Sequence, residues 1–270
     1  MEVERHESAD ASWEIARRLP SAPLRGLVGR ALEGWRRDGP PTPPLRELPV
    51  PGVPLILELG DGWTIEEVGV RPERLDSFLA GLHTRPTIVS GSGSFACVEL
   101  MLTPLGTRRL LGLPMHELAG RTVALEDLLP GAAELAERVR EAGGWAARFD
   151  LVEDFLVRRL ADTPESPREL DWAWRRLVRS GGREPVGRIA AELQWSPGRL
   201  IDRFREHVGL APKAAARVIR FDRAVAALGS GVPRIAEVAA QCGYADQAHL
   251  NREFRELAGQ TPGELLAARA

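Results

Sequence analysis

The sequence predicts an α+β protein: a mixed β/α half over residues 1–165, followed by an all-α half over residues 166–270. Three observations predict it. A stretch near the carboxyl end occurs twice, because Leu200, Phe204, Gly209 and Pro212 recur as Leu250, Phe254, Gly259 and Pro262, fifty positions later each time. Matched core, turn and stop residues at one fixed offset mark an internal structural repeat. Short apolar runs bounded by Gly, Pro and Ser fill much of residues 55–102, which is the punctuation of strands. Between the halves, residues 163–167 form a proline-bearing break of the kind that separates domains.

Composition narrows the class. Of the 270 residues, 44% are hydrophobic and 27% charged, the balance of a folded globular chain. No apolar run reaches the roughly 18–20 residues that a membrane span needs. The opening MEVERHESAD is polar and acidic, unlike a signal peptide, so the cytoplasm is the expected compartment and no membrane partner is expected. Cys97 and Cys242 are too few for a disulfide framework or a metal cluster, and each is expected to be a buried small hydrophobe. The net charge of −2 divides unevenly: −5 over residues 1–160 against +3 from Arg183 onward. A mildly basic end on an acidic remainder suits a module that meets a polyanion.

Residues 1–23 are polar and are expected to be irregular. Leu24, Leu27, Val28, Ala31, Leu32 and Trp35 have helical spacing, which predicts a helix over 24–35 ending before the turn-forming run 38–44. Leu55–Leu59 and Thr64–Val70 read as strands. Thr87–Ser90 and Phe95–Leu102 flank Gly91-Ser92-Gly93-Ser94 and read as a hairpin with a glycine-rich tip. Helices are predicted over 104–111, with proline in the first turn, and over 125–129, 132–140 and 146–160. The last has Phe149, Val152, Phe155, Leu156 and Leu160 on one face, which suits core packing or a dimer interface.

Beyond the break, residues 168–180 form a helix with Leu170, Trp174 and Leu177 on one face, ended by Gly181-Gly182. The first repeat then opens with a helix over 184–193, turns at Gln194-Trp195, and restarts with Ser196 as cap and Pro197 at the first position. Residues 212–228 form a connecting helix, seventeen residues and therefore about 25 Å long. Such a spacer lets two helices meet successive major-groove faces roughly 34 Å apart. The second repeat opens over 233–242 and turns at Gly243. It restarts behind Asp246, a good cap, with Leu250, Phe254 and Leu257 facing inward. Each repeat is a helix-turn-helix, and the turn of the second holds one extra residue, since Trp195 and Tyr244 lie 49 apart.

At this point a resemblance enters. From about Glu184 to Leu266 the chain is similar to the DNA-binding domain of the AraC/XylS family of bacterial transcription regulators, in which two helix-turn-helix units are joined by one long helix. Both units, the linker and the Gly-x-x-Pro ending of each unit occur here in order. The resemblance implies a sequence-specific regulator whose partner is double-stranded promoter DNA, with RNA polymerase, a homodimer and a small-molecule effector in the same picture. More weakly, the first half resembles the sensor domains of such regulators, some of them a cupin-like barrel followed by helices. Leu102–Pro114, LTPLGTRRLLGLP, fits the sensor region of one subgroup, but no sensor motif is sharp enough to transfer a ligand-binding residue.

Outward positions of the two second helices supply the candidate DNA contacts. In unit two these are Gln247, His249, Asn251, Arg252 and Arg255. Gln247 stands in the first turn, where base edges are usually read, and its amide can bond adenine bidentately. Arg252 matches an arginine position that the family often uses, for guanine or phosphate. His249 reads equally well as an ordinary surface histidine. In unit one the candidates are Ser196, Arg199, Arg203 and Arg205, beside Gly198, Ile201 and Asp202. Asp202 repels phosphate, and Arg199 could instead join an internal ion pair, so unit one is expected to be the weaker reader.

Catalysis is not expected. No P-loop, Rossmann fingerprint, His-Glu-x-x-His or Cys-x-x-Cys occurs, so no cofactor is implied. His6, His83 and His116 form no His-x-His pair, and no metal site is expected. The Ser90–Ser94 loop lacks the strand–loop–helix context of a phosphate cradle. The alternative to a regulator is a ligand-binding or catalytic β-domain with a helical tail for protein interaction.

Overall fold

Along Phe95–Leu102 the side chains alternate so that Ala96, Val98, Leu100 and Leu102 point to one side and Phe95, Cys97, Glu99 and Met101 to the other. This strand is the centre of the first half in the computed structural model, which describes residues 1–230 and 234–268. Among the described residues there are eleven strands: β1 (Glu2–Glu7), β2 (Ser12–Arg18), β3 (Val28–Asp38), β4 (Leu45–Glu47), β5 (Val53–Glu58), β6 (Trp63–Glu66), β7 (Glu73–Leu75), β8 (Phe78–Ala80), β9 (Thr87–Ser90), β10 (Phe95–Leu102) and β11 (Thr122–Ala124). They make two antiparallel sheets. One has seven strands in the order β1-β2-β3-β10-β5-β8-β11, and the other has four in the order β4-β9-β6-β7.

The larger sheet has two different faces. On one, Val98, Leu100 and Leu102 join Leu32, Leu55 and Leu57 against helices α1 (Pro104–Leu111), α3 (Ala132–Glu141) and α4 (Trp145–Leu160). Trp145 lies so close to β3 that a Cβ on Gly34 would sit 2.3 Å from its ring, so only glycine fits there. The other face carries Trp35, Ile56, Phe78, Cys97 and Glu99 and is covered by the smaller sheet, with a cavity between them. A short helix α2 (Leu125–Leu128) follows β11.

Three expectations for this half are corrected. Residues 1–23 are not irregular: β1 and β2 form a hairpin in full register from Glu2↔Arg17 to Glu7↔Ser12. Residues 24–35 are not a helix. After a single 3-10 turn at Ala22–Leu24 the chain runs as β3, because β2 and β10 bind it on both edges, and that pairing outweighs the helical spacing. Thr87–Ser90 and Phe95–Leu102 are not a hairpin. The Gly91–Ser94 link, with Gly93 at φ +96, carries the chain from one sheet to the other, and β10 pairs with β3 and β5 instead.

The second half is helical: α5 (Arg168–Ser180), α6 (Val186–Glu192), α7 (Pro197–Val208), α8 (Pro212–Gly229), α9 (Ile235–Cys242), α10 (Gln247–Ala258) and α11 (Pro262–Ala267). Pro233, at the expected opening of the second repeat, lies outside the described residues. Leu200, Phe204, Leu250 and Phe254 are all fully buried, as their spacing requires. Past the second stop signal the chain forms the extra helix α11, capped by Thr261 and Glu264 in reciprocal hydrogen bonds.

The two helix-turn-helix units sit differently. Leu200, Phe204 and Val208 of α7 belong to the same apolar cluster as Leu110 of α1 and Met115 of the following 3-10 turn. Unit two has its own cluster around Phe221, Val238, Leu250 and Phe254, with the Phe221 and Phe254 rings 4.8 Å apart. Both cysteines are free and buried.

Candidate nucleic-acid interface

The two units are built by the same local chemistry. Trp195 N–H donates to the Ala190 carbonyl at 2.9 Å, and Tyr244 N–H donates to the Ala239 carbonyl at 2.9 Å, so the two turns close identically despite the extra residue. Unit one makes its turn with Gln194 at φ +55, a backbone conformation that costs an L-residue something. Unit two uses Gly243 at φ +80. Each recognition helix then starts on a side-chain cap: Ser196 Oγ accepts from Arg199 N–H at 3.2 Å, and Asp246 Oδ1 accepts from His249 N–H at 2.6 Å. Proline at the start of α7 lacks a donor that would have gone unpaired.

The candidate contact residues separate into free and engaged groups. On α10, Gln247, Arg252 and Arg255 are exposed and Asn251 is half-buried, and neither arginine enters an ion pair among the described residues. His249 belongs to the turn: its Nδ1 accepts from Ala245 N–H at 3.4 Å, and its ring meets Tyr244 edge-on at 5.3 Å. On α7, Arg199 and Arg205 are exposed. Arg199 stacks over the Trp195 ring at 4.7 Å and makes no ion pair among the described residues. Ser196 is held as the cap. Arg203 pairs with Glu206 at 2.6 Å, and Glu206 also lies 4.0 Å from Arg108 of α1, so Arg203 belongs to the seam with the first half. Arg199, Asp202 and Arg205 form the open face of α7.

Behind α10 lies a cluster that sequence reasoning missed. Glu253 is 4% exposed and takes Arg217 Nε at 3.0 Å and Arg220 Nη2 at 2.5 Å, both from α8. Glu256 takes a second donor from Arg217. Arg220 also stands over the Tyr244 ring at 4.9 Å. The arginine–carboxylate fork fixes the angle between linker and recognition helix with directional bonds. Its signal was available: a glutamate one position before Phe254, on the inward face of an amphipathic helix.

A second feature, also unseen in the sequence, lies in the first half. The cavity between the sheets encloses about 430 Å³, within the usual range for a small-molecule site. Leu48 lines it and also packs against the apolar cluster of unit two. Beside it, Arg46 Nη1 donates to the Ala258 carbonyl at the end of α10, at 3.2 Å. The segment from Leu45 to Val50 is therefore a wall of the cavity and a contact of the second recognition helix at once.

Burial and neighbouring charge shape the titration of the cavity. Burial first, then the negative charges of Glu33 and Glu47, push the Glu99 carboxyl up to about 7, against a pull from Arg30 and the Trp35 indole. Burial of its surroundings raises Glu47, although the residue as a whole is exposed. Burial lowers His83, which keeps the imidazole neutral near pH 7 in spite of Glu67 at 3.8 Å. Among the described residues no group of three or more His, Cys, Asp or Glu side chains is arranged to hold a metal ion, and no helix is long and apolar enough to cross a membrane.

Comparison with known proteins adds the following. Residues 189–268 match a sequence family described as a helix-turn-helix domain. Residues 16–124 match one described as a domain of unknown function, DUF6597. No curated protein matches the sequence. Among solved structures, ToxT from Vibrio cholerae O395 is similar at 12% identity and a TM-score of 0.48, over 96% of this chain and 98% of that one. ToxT from strain SCE256 with an unsaturated fatty acid bound gives 10% identity and a TM-score of 0.49, covering 97% of each chain. The AraC-like transcriptional activator CuxR gives 11% identity and a TM-score of 0.33, over 99% of this chain and 83% of that one. With the repeated turns, the caps and the stiff linker already in view, the family match over 189–268 identifies an AraC-type helix-turn-helix domain at the carboxyl end of the chain.

Proposed function

We propose that this chain is an AraC-like transcription regulator that reads a promoter through the open faces of α7 and α10, under the control of a small molecule taken into the cavity between its two sheets. Gln247, Asn251 and Arg252 read base edges, while Arg199, Arg205 and Arg255 hold phosphates. Unit two is the stronger reader, because its outward face carries two unpaired arginines and an amide, whereas α7 presents Asp202 between its two. The chain acts by binding and not by catalysis. Promoter binding in the cytoplasm, as a homodimer within reach of RNA polymerase, is the setting that this reading implies.

The observation that carries effector control is the double role of Leu45–Val50. A ligand that displaces Leu48 or stiffens β4 moves the contact at Ala258 and shifts the balance between orientations of α10. The test uses the full chain. Duplexes retained from fragmented genomic DNA are retitrated by gel shift at about 150 mM salt against random duplex, where specific binding is expected to exceed non-specific binding by at least ~1000-fold. Equal affinity for all duplexes overturns the proposal.

A further inference from the structure

Resting on the reading of the inter-sheet cavity as the effector site, we infer that it takes an organic monocation: an amine or quaternary ammonium carried on an apolar or aromatic body. The lining is chiefly apolar, and four aromatic side chains, Trp35, Trp63, Phe78 and Phe95, contribute to it. Trp63 and Phe95 meet at 4.7 Å with their rings tilted by 59°, so the wall presents both ring faces and edges. Ring faces attract a cation and accept an apolar body equally well.

The charges point the same way. Glu99 from the larger sheet and Glu47 from the smaller one both face this space, and neither enters an ion pair among the described residues; the Trp35 indole is the polar neighbour of Glu99. Glu33, the cross-strand neighbour of Glu99, is already taken by Arg17 at 3.1 Å. The cations nearby do not balance the pair. Arg85 is exposed to water and bridges to neither carboxylate, Arg30 is also exposed, and His83 is neutral. Two carboxylates in a partly enclosed apolar space repel each other and any anion, and the arrangement is relieved by a positive ligand.

Unmet polar groups mark the space as one that expects an occupant. Thr87 also lines the cavity. The indole N–H groups of Trp35 and Trp63 are fully enclosed and reach no acceptor at ordinary hydrogen-bond geometry, although Trp35 lies beside Glu99 and Trp63 beside Glu58. Buried polar groups without partners are uncommon in folded chains. Here they lie on the same lining as the two carboxylates.

Three probes that share one hydrocarbon test the inference: 4-phenylbutylammonium, 4-phenylbutan-1-ol and 4-phenylbutyrate, titrated into the full chain at pH 8 and followed by tryptophan fluorescence. The ammonium is expected to bind at least tenfold more tightly than the alcohol, and the carboxylate more weakly than either. In the Glu47→Gln, Glu99→Gln double variant the preference for the ammonium is expected to fall below threefold, while the alcohol still binds. Calorimetry of the unaltered chain at pH 7 in phosphate and in Tris supplies a readout that needs no variant. Release of a proton as the ammonium enters supports the inference, because Glu99 is part-protonated there and the cation favours its charged form. Equal or tighter binding of the alcohol or the carboxylate, or no proton release, overturns the cation assignment and leaves the cavity as an effector site. No saturable binding of any probe overturns both.

Discussion

Single side chains carry the sharpest consequences. Arg252→Ala and Gln247→Ala are each expected to cost about 1–3 kcal/mol of specific binding, read by gel-shift titration on the selected duplex. Arg255→Ala, by contrast, should weaken binding to all duplexes alike and reduce the dependence on salt, through loss of a phosphate contact. Glu99 gives a stability prediction with a definite sign. Its folded pKa of about 7 stands above that of the unfolded chain, so the folded state binds the extra proton. Stability contributed by that proton is present below about pH 4.5 and is lost as pH rises towards 7. Glu99→Gln removes the loss, up to ~3 kcal/mol in favour of the variant above pH 7. Thermal melts should show the variant more stable at pH 8 and nearly level with the parent at pH 5. Residues at this scale were unevenly legible. The outward residues of α10 follow from the positions of Leu250 and Phe254, whereas Glu99 looks like an ordinary solvent-facing residue of an alternating strand until the second sheet is laid over it.

Elements were legible where their ends are marked by local chemistry. Ser196-Pro197, Asp246, Gly209 and Gly259 announce helix ends within their own turn, and the helices of the second half fall close to where these residues put them. The strands of the first half have no such markers. The sequences EVERHE and SWEIARR hold few apolar residues because they lie towards one edge of the larger sheet. In β3 the apolar spacing fits a helix as well as a strand, and only Gly29 and Gly34 hint against the helix. What decided these strands was distant pairing, which a local window cannot see. At this scale the joint between α8 and α10 is the part most easily broken. Glu253→Ala would leave Arg220, 15% exposed, without its carboxylate. The expected cost is ~3 kcal/mol, measured by denaturant unfolding, and Glu253→Asp should recover only part of it because the shorter side chain cannot reach both guanidinium groups.

At the scale of the whole molecule the first half touches both helix-turn-helix units, but by different means. Unit one shares an apolar core with α1 and with Met115. Gly209 lies so near that a Cβ on it would stand 3.0 Å from the Met115 carbonyl oxygen. Unit two is reached through Leu48 and the Arg46 guanidinium. Arg46→Ala is therefore expected to change global stability by less than ~1 kcal/mol, while amide exchange quickens in the last turn of α10 and in the link to α11. Hydrogen-exchange mass spectrometry distinguishes this from a general loosening, and unchanged exchange at residues 258–261 would rule the contact out as a restraint. The double-unit architecture was visible from the fifty-residue offset alone. Its unequal attachment was not, because it depends on which surfaces meet after both halves have formed.

The fusion of α7 with Met115 and Leu110 also bears on how the chain can be cut. Severing it at the proline break would bare an oily scar along α7, on the side that meets α1 and Met115. The liberated carboxyl fragment should clump at concentrations that the intact chain tolerates, and light scattering would register it. The unit that looks most self-sufficient in the one-dimensional string is, in space, a lodger in its neighbour's house.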